Sequence, residues 1–412
     1  MRIISESAFR PIPHFSGRHA SVGIFFPGRR RAKLEREVAI LGTRVLWAVS
    51  SVGAGHVYRD VLIAQRLARR TGWEIVFAAG GAVPQLLRRE GLVLAGELAE
   101  MSLPVADGWL DLGAFAREWR RQERANRTLS RELLRRLRPR LVVSDELPSV
   151  LGEARRQGTR TAYLTDFVTL RPARRRTPRH WGYPLLRPWL DAYLRRPLAL
   201  ADLGVLLDDA AAVPRDLAGW VRRHRVFCAG TPVRPGPAPH PEPGLVIATA
   251  GGSAAGGFLL RAALEAFPAV RRAFPQARLL VVAGPSLDPA SLPTAGEGVE
   301  VAGFRPNLVA DLARAAVVVG MAGLATLAEL RTRSRAWAVL CPVGRHWEEE
   351  ANALKAAAQG WARVIFREQL SAPRLAAQIG ACLGAGAAPR PQGSAGDPEA
   401  VACRLEALGA SG

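Results

Sequence analysis

Lysine is almost absent from this 412-residue chain: Lys33 and Lys355 are its only two, and the formal charge of +21 therefore rests on arginine. So basic a chain attracts nucleotide sugars, nucleic acid or acidic lipid headgroups alike, and the sign of the charge does not choose among them. Cysteine is scarce as well. Cys228, Cys341, Cys382 and Cys403 lie far apart, with no C-x-x-C pair, which argues against a disulfide framework or a zinc site and fits a reducing compartment. Long apolar runs are missing: the charge-free segments Pro243–Leu260 and Leu375–Pro389 are cut by glycine and fall short of the roughly 20 residues of a bilayer span. No transmembrane helix is expected, and the chain reads as cytoplasmic. Near the N-terminus the apolar piece Ala20–Pro27 is followed by Arg29, Arg30 and Arg31, the reverse of a secretory signal. Residues 1–43 read as a loose extension.

What remains is 49% hydrophobic, enough for a large core and two domains of ordinary size. From Arg44 short β-branched runs alternate with amphipathic stretches, the pattern of a parallel sheet covered by helices. The runs are Arg44–Val49, Glu74–Ala78, Leu141–Asp145, Thr161–Leu164 and Leu203–Leu207, giving an α/β domain over 44–230. Residues 231–244 are too rich in proline for a helix or central strand and are the expected linker. The rhythm then restarts at Leu245–Ala248, Ala277–Val282, Val317–Val319 and Trp337–Leu340, giving a second α/β domain over 245–383. A Gly/Ala/Pro-rich piece and a short helix complete the chain at 384–412.

Three glycine turns open helices after strands, where free backbone N–H groups suit an anionic ligand. The first is Gly53-Ala54-Gly55-His56. A dinucleotide fingerprint would need glycine where Tyr58 stands and an acid near Ala78 or Ala79, so NAD binding is disfavoured. The turn does place a histidine at a helix mouth, where the dipole favours the neutral imidazole; it reads as a general base or as a helix cap. Asp145 at a strand end is a candidate to fix its tautomer, with Asp166 as rival and a turn cap as the plain alternative. The second turn, Gly251-Gly252-Ser253, is by itself a weak phosphate signal. The third, Gly320-Met321-Ala322-Gly323-Leu324-Ala325-Thr326-Leu327-Ala328-Glu329, is more specific: its N–H groups and Thr326 suit a diphosphate, and a carboxylate one to two turns further in suits a ribose. Glu348, Glu349 and Glu350 at the next helix start also read simply as dipole-favouring charges.

In this order, a G-x-G-H turn, a G-G-S turn, G-x-x-G-x-x-T-x-x-E and an acidic pair before Asn352-Ala353 resemble the GT-B glycosyltransferases. The likeness is greatest to the branch of the peptidoglycan N-acetylglucosaminyltransferase and bacterial glycosyltransferases with a Gly-His turn, and runs from Arg44 to Phe366. It implies two Rossmann-like domains facing each other across a cleft, and transfer of a sugar from a nucleotide diphosphate, UDP first, to an acceptor hydroxyl, lipid-linked or small. It also implies no cofactor and no metal. The donor would lie on the second domain: Gly252 and Ser253 toward the phosphates, Phe304 and Arg305 beside the base, Gly323, Leu324, Ala325 and Thr326 on the diphosphate, Glu329 on ribose, and Glu348, Glu349 and Asn352 near the sugar. Gly53, Gly55 and His56 would face the acceptor, with Asp145 behind the histidine. Two departures stand out. Glu349 replaces the usual Gln, and the third turn lacks its Ser-Arg, leaving Arg305 or Arg345 to meet phosphate. The basic, aromatic stretch Arg171–Arg196, with Arg174–Arg176, His180, Trp181, Tyr183, Trp189 and Tyr193, reads either as a peripheral contact with acidic membrane or as a packed loop. A nucleotide-sugar 2-epimerase shares the architecture, and a noncatalytic binder of membrane or nucleic acid shares the charge; no motif for reading nucleic acid is present.

Overall fold

The computed structural model describes residues 43–171, 183–389 and 395–411. The N-terminal extension, Arg174–Arg176, His180 and Trp181 lie outside the described residues. Strands β1 (Arg44–Val49), β2 (Glu74–Ala79), β3 (Leu94–Glu97), β6 (Leu141–Asp145), β7 (Arg160–Thr165), β8 (Leu203–Leu206) and β9 (Phe227–Cys228) form one sheet in the order β3-β2-β1-β6-β7-β8-β9. Between β3 and β6 stands a two-stranded hairpin, β4 (Val105–Ala106) with β5 (Trp109–Leu110). The second sheet comprises β10 (Leu245–Thr249), β11 (Arg278–Val282), β12 (Val299–Ala302), β13 (Val317–Gly320), β14 (Trp337–Leu340) and β15 (Ala362–Val364), ordered β12-β11-β10-β13-β14-β15. Every pairing in both large sheets is parallel. Parallel sheets are covered on both faces, which explains why their central strands are near-continuous apolar runs rather than alternating ones.

Helices α1 (Ala54–Thr71), α2 (Val83–Arg89), α3 (Leu112–Leu137), α4 (Pro148–Arg156), α5 (Tyr183–Leu200) and α6 (Arg215–Arg223) belong to the first part of the chain. Helices α7 (Gly257–Ala273), α8 (Leu308–Arg314), α9 (Leu324–Arg333), α10 (Trp347–Ala358), α11 (Ala372–Gly384) and α12 (Pro398–Ala410) follow. In each sheet the strand order reverses beside the first strand: β1 lies between β2 and β6, and β10 between β11 and β13. Such a switch point opens a crevice at the carboxyl ends of the strands, because successive crossovers leave in opposite directions. The Gly53 turn ends β1 and the Gly251-Gly252 turn ends β10, so both glycine turns stand at switch points.

The two domains are tied by segments that cross between them. The β4–β5 hairpin reaches the second domain, where Leu110 N donates to Gly344 O at 3.0 Å and Gly344 N donates to Gly108 O at 2.8 Å. Leu110 is buried in the second domain's core. In return α12, which the sequence marks only as a short terminal helix, packs on the first domain, with Val401, Ala402 and Leu405 at 0% exposure among Trp47, Val61 and Leu207. Asp397 caps α12, its carboxylate accepting from Glu399 N and Ala400 N at 2.9 and 3.2 Å. Glu399 and Glu406 on the same helix accept from Arg70 at 2.6 and 2.8 Å. Among the described residues no helix is long and apolar enough to cross a membrane.

Removing the Leu405 side chain leaves a cavity beneath α12. Leu405→Ala is expected to cost about 2–5 kcal/mol of stability, as buried leucine truncations do, measured by urea unfolding. Wild-type stability in that variant would show that α12 does not dock on the first domain as described.

Candidate active site

Gly53 enters α1 with φ 86° and ψ 156°, a backbone conformation a side chain strongly disfavours. The turn carries His56 into the first helical turn, where the positive helix end disfavours the imidazolium. The imidazole is only 11% exposed, and its Nδ1 lies 2.7 Å from Asp145 Oδ2. A carboxylate oxygen can only accept, so Nδ1 carries the proton and Nε2 is left with its lone pair. Arg59, one helical turn on, donates from Nη2 to Asp145 Oδ1 at 2.7 Å and from Nη1 to Asp166 Oδ1. The same Nη2 is 2.7 Å from His56 Nδ1. With Nδ1 protonated that approach sets two donors side by side, each bonded to the shared carboxylate.

Each acid reaches this point through the backbone that holds it. Asp145 closes β6, Asp166 follows β7, and Glu146 turns the chain between β6 and α4 with φ 52°, a left-handed conformation uncommon for a residue with a side chain. Glu146 Oε1 accepts from the Thr165 hydroxyl at 2.9 Å and from Asp166 N at 3.1 Å, fixing the end of β7. Burial pushes the Asp145 carboxyl up, but Arg59 and His56 outweigh it and hold the group at about 2. For Asp166 burial prevails over Arg59, with Glu146 adding to it, and the carboxyl rises to about 6. Burial also opposes charge on His56, with Arg59 on the same side; Asp145 and Glu146 overcome both and leave the imidazole above its ordinary value. Asp60, at 0% exposure, lies with its Oδ1 3.9 Å from Arg59 Nε and is pushed well up by burial and by Asp145.

The opposite wall belongs to the second domain. Gly323 precedes α9, and Ala322 just before it is left-handed at φ 84°, its carbonyl accepting from Asn352 Nδ2 at 3.3 Å. Leu324, Ala325 and Thr326 form the first turn of α9. Glu329, 9% exposed, accepts from Arg234 Nε at 3.0 Å. Arg234 leaves the linker, lies 4.0 Å from the centroid of the Tyr58 ring and donates to Pro306 O at 2.8 Å. Glu348 lines the cleft with Asn352, and burial, then Asp166 and Glu146, raise its carboxyl well above the ordinary range. Together with Asp166, Phe167, Leu324 and Trp347 these residues wall a cavity of about 190 Å³ between the domains.

Two residues expected at the donor are committed elsewhere. Glu349 turns back to accept from Val343 N at 2.9 Å, and its carboxyl is pushed to about 8, by burial first. Arg305 donates twice to Asp311, at 2.8 and 2.9 Å. Arg345, the other cation considered for phosphate, stands over the Trp109 ring at 5.8 Å. Phe304 packs against the first domain's core, with the Arg89 guanidinium 4.9 Å from its ring centroid. Ser253 accepts from Ala255 N at 3.2 Å. Gly252 and Gly55 meet the other domain: a Cβ on Gly252 would fall 1.9 Å from Ala54 N, and one on Gly55 2.8 Å from Ala325 Cβ. Sequence reasoning missed Arg234 and Arg59. Arg59 and Asp60 do leave a trace, since they adjoin the buried Val57–Val61 stripe of α1, where charge is out of place.

Residues 246–400 match the profile of the glycosyltransferase family 28 C-terminal domain. No curated relative matches the chain. Its fold is similar to that of the glycosyltransferase of kitacinnamycin, with a TM-score of 0.58 and 19% identity over 89% of this chain and 94% of the other. MurG of Acinetobacter baumannii aligns with a TM-score of 0.54 and 14% identity over 89% of this chain and 99% of its own. SsfS6, a glycosyltransferase of Streptomyces sp. SF2575 complexed with thymidine diphosphate, gives 0.57 and 16% over 89% and 99%. The fold is therefore GT-B. In class the chain is an enzyme, a glycosyltransferase.

Asp145 is ionised in the folded chain at pH values where an unfolded aspartate is already protonated. Its contribution is thus complete above about pH 4 and is lost as pH falls through about 2. Urea unfolding of wild type and Asp145→Asn across that range is expected to show a gap of about 2 kcal/mol at neutral pH that closes in acid. A gap independent of pH would mean that Asp145 is not the paired carboxylate described.

Proposed function

We propose that the chain transfers a sugar from a nucleoside diphosphate, UDP first, to an acceptor hydroxyl, and that His56 is the general base. The observation that carries this reading is the His56 Nδ1–Asp145 contact at 2.7 Å, which leaves Nε2 basic at the mouth of the cleft. An acceptor hydroxyl there loses its proton to Nε2 as its oxygen attacks the anomeric carbon, and Asp145 stabilises the imidazolium that forms. The departing diphosphate would take N–H groups at the start of α9, at Gly323, Leu324, Ala325 and Thr326, with Gly252 and Ser253 opposite; these offset its charge without a metal or cofactor. Glu329 would bind the ribose, Phe304 would flank the base, and Glu348 and Asn352 would meet the sugar. Arg234, within reach of Glu329, supplies the cation that the third glycine turn lacks. The thymidine diphosphate held by SsfS6 supports a nucleoside diphosphate and keeps dTDP beside UDP as a candidate.

Calorimetric binding of UDP, dTDP, GDP and ADP tests the donor site. One nucleotide is expected to bind selectively, and Glu329→Ala and Arg234→Ala are expected to weaken it tenfold or more, roughly the loss of one charged contact. With that donor, His56→Ala should retain binding while turnover falls ~100-fold or more, as for loss of a general base. Unchanged turnover would remove His56 from the mechanism, and no nucleotide binding would remove the donor site.

A peripheral contact with acidic membrane, delivering a lipid-linked acceptor to this cytoplasmic enzyme, is proposed from α5. Leu185 is 86% and Trp189 54% exposed there, and Arg187 lies between them. Apolar side chains beside arginine suit a headgroup layer. Cosedimentation with phosphatidylglycerol vesicles is expected, with loss in Leu185→Glu/Trp189→Glu; equal binding by the variant would rule this surface out.

A further inference from the structure

His56 is surrounded by carboxylates. Asp145 at the end of β6 touches its Nδ1, and Asp166 at the end of β7 acts on it through Arg59. Glu146 follows Asp145, Asp60 lies beneath on α1, and Glu348 faces Asp166 from α10. Left to the charges of Asp145 and Glu146, the imidazole is drawn toward the imidazolium, because each nearby anion favours the protonated ring. An imidazolium cannot accept an acceptor's proton. The helix end of α1 opposes this only by a partial charge, and it is shared with solvent at the cleft.

Arg59 is the cation placed to cancel that field. Its side chain is 2% exposed and bridges Asp145 and Asp166, so one guanidinium pairs with two of these acids while standing 2.7 Å from Nδ1. Because Nη2 already occupies Asp145 Oδ1, only Oδ2 remains for the imidazole, and the ring is held with Nδ1 inward. The i, i+3 spacing puts both residues on the same face of α1. A lysine here would keep the charge but reach only one carboxylate, since its single ammonium lacks the fork that spans two.

We propose that Arg59 is the positioning residue of this site: bridging Asp145 and Asp166, it offsets the carboxylates around His56, shifts the imidazole toward its neutral form and keeps the proton of that form on Nδ1. The proposal rests on the reading of His56 as base, but it is tested without donor or acceptor. In ¹H–¹³C spectra of the full chain, the titration midpoint of His56, assigned by its loss in His56→Ala, is followed in three variants. Arg59→Met should raise it by about 1 pH unit or more, a tenfold loss of neutral imidazole at pH 7. Arg59→Lys should move it less. Asp166→Asn, which leaves half of the guanidinium without a carboxylate, should lower it, and this variant keeps the test open if Arg59→Met does not fold. Unchanged midpoints in folded Arg59→Met or in Asp166→Asn would overturn the proposal, whereas a residue that only supports the fold would change stability and leave the midpoint in place. If the midpoints move as expected while no sugar transfer is found, the proposed reaction fails and the role of Arg59 stands.

Discussion

The backbone of Gly252 closes on Ala54 across the cleft, and the geometry of the site depends on that approach. No side chain fits between those two turns, since a Cβ on Gly252 would sit 1.9 Å from Ala54 N. The mouth of α1, bearing His56, is thereby pressed against the end of β10, and Gly55 meets Ala325 at the start of α9 in the same way. Two switch points, each an opening at the end of its own sheet, become one crevice lined by helix N-termini from both domains. The hairpin at Trp109 and the returning helix α12 hold the same relation from either side: each leaves its own domain and completes a core or an edge of the other.

Inside that crevice the charge runs against the rest of the molecule. The chain carries a formal charge of +21, yet the groups around His56 are mostly acids, with Arg59 as the cation bridging them. A basic exterior draws anions toward the protein over distances of a Debye length, while short-range contacts decide what happens at the base. Burial first, and acidic neighbours after it, hold Asp166 and Glu348 above the ordinary carboxylate range, whereas the cations beside Asp145 hold it below. At Asp145 the guanidinium and the imidazole outweigh burial; at Asp166 burial outweighs the same guanidinium, and at Glu348 burial is joined by Asp166 and Glu146. The same chemical group thus serves as a fixed anion at one position and as a readily protonated acid a few ångströms away.

Much of this was legible in the residues. The central strands of both sheets coincide with the apolar runs because strands buried on both faces must be continuously apolar, and a linear pattern records that directly. The glycine turns were visible for the same reason: glycine after a strand marks a sharp reversal wherever it stands. Short edge strands such as β3, β9 and β15 were not visible, because two to four residues carry no period. Nor was the β4–β5 hairpin, whose Trp109 and Leu110 find their partner at Gly344, far along the chain.

The site divides along the same line. Sequence alone determined that a histidine opens α1, that an acid ends β6, and that a G-x-x-G-x-x-T-x-x-E helix begins the opposite wall, since each is a local fact about a turn or a strand end. Only the tertiary structure decided which acid holds His56, because Asp145 and Asp166 end neighbouring strands and differ in which side of Arg59 they meet. It likewise turned Glu349 toward Val343 and Arg305 toward Asp311, and brought Arg234 from the linker to Glu329. Those pairings join residues up to 107 positions apart, and the free energy that selects one charged partner over another depends on burial and distance, which no linear spacing contains.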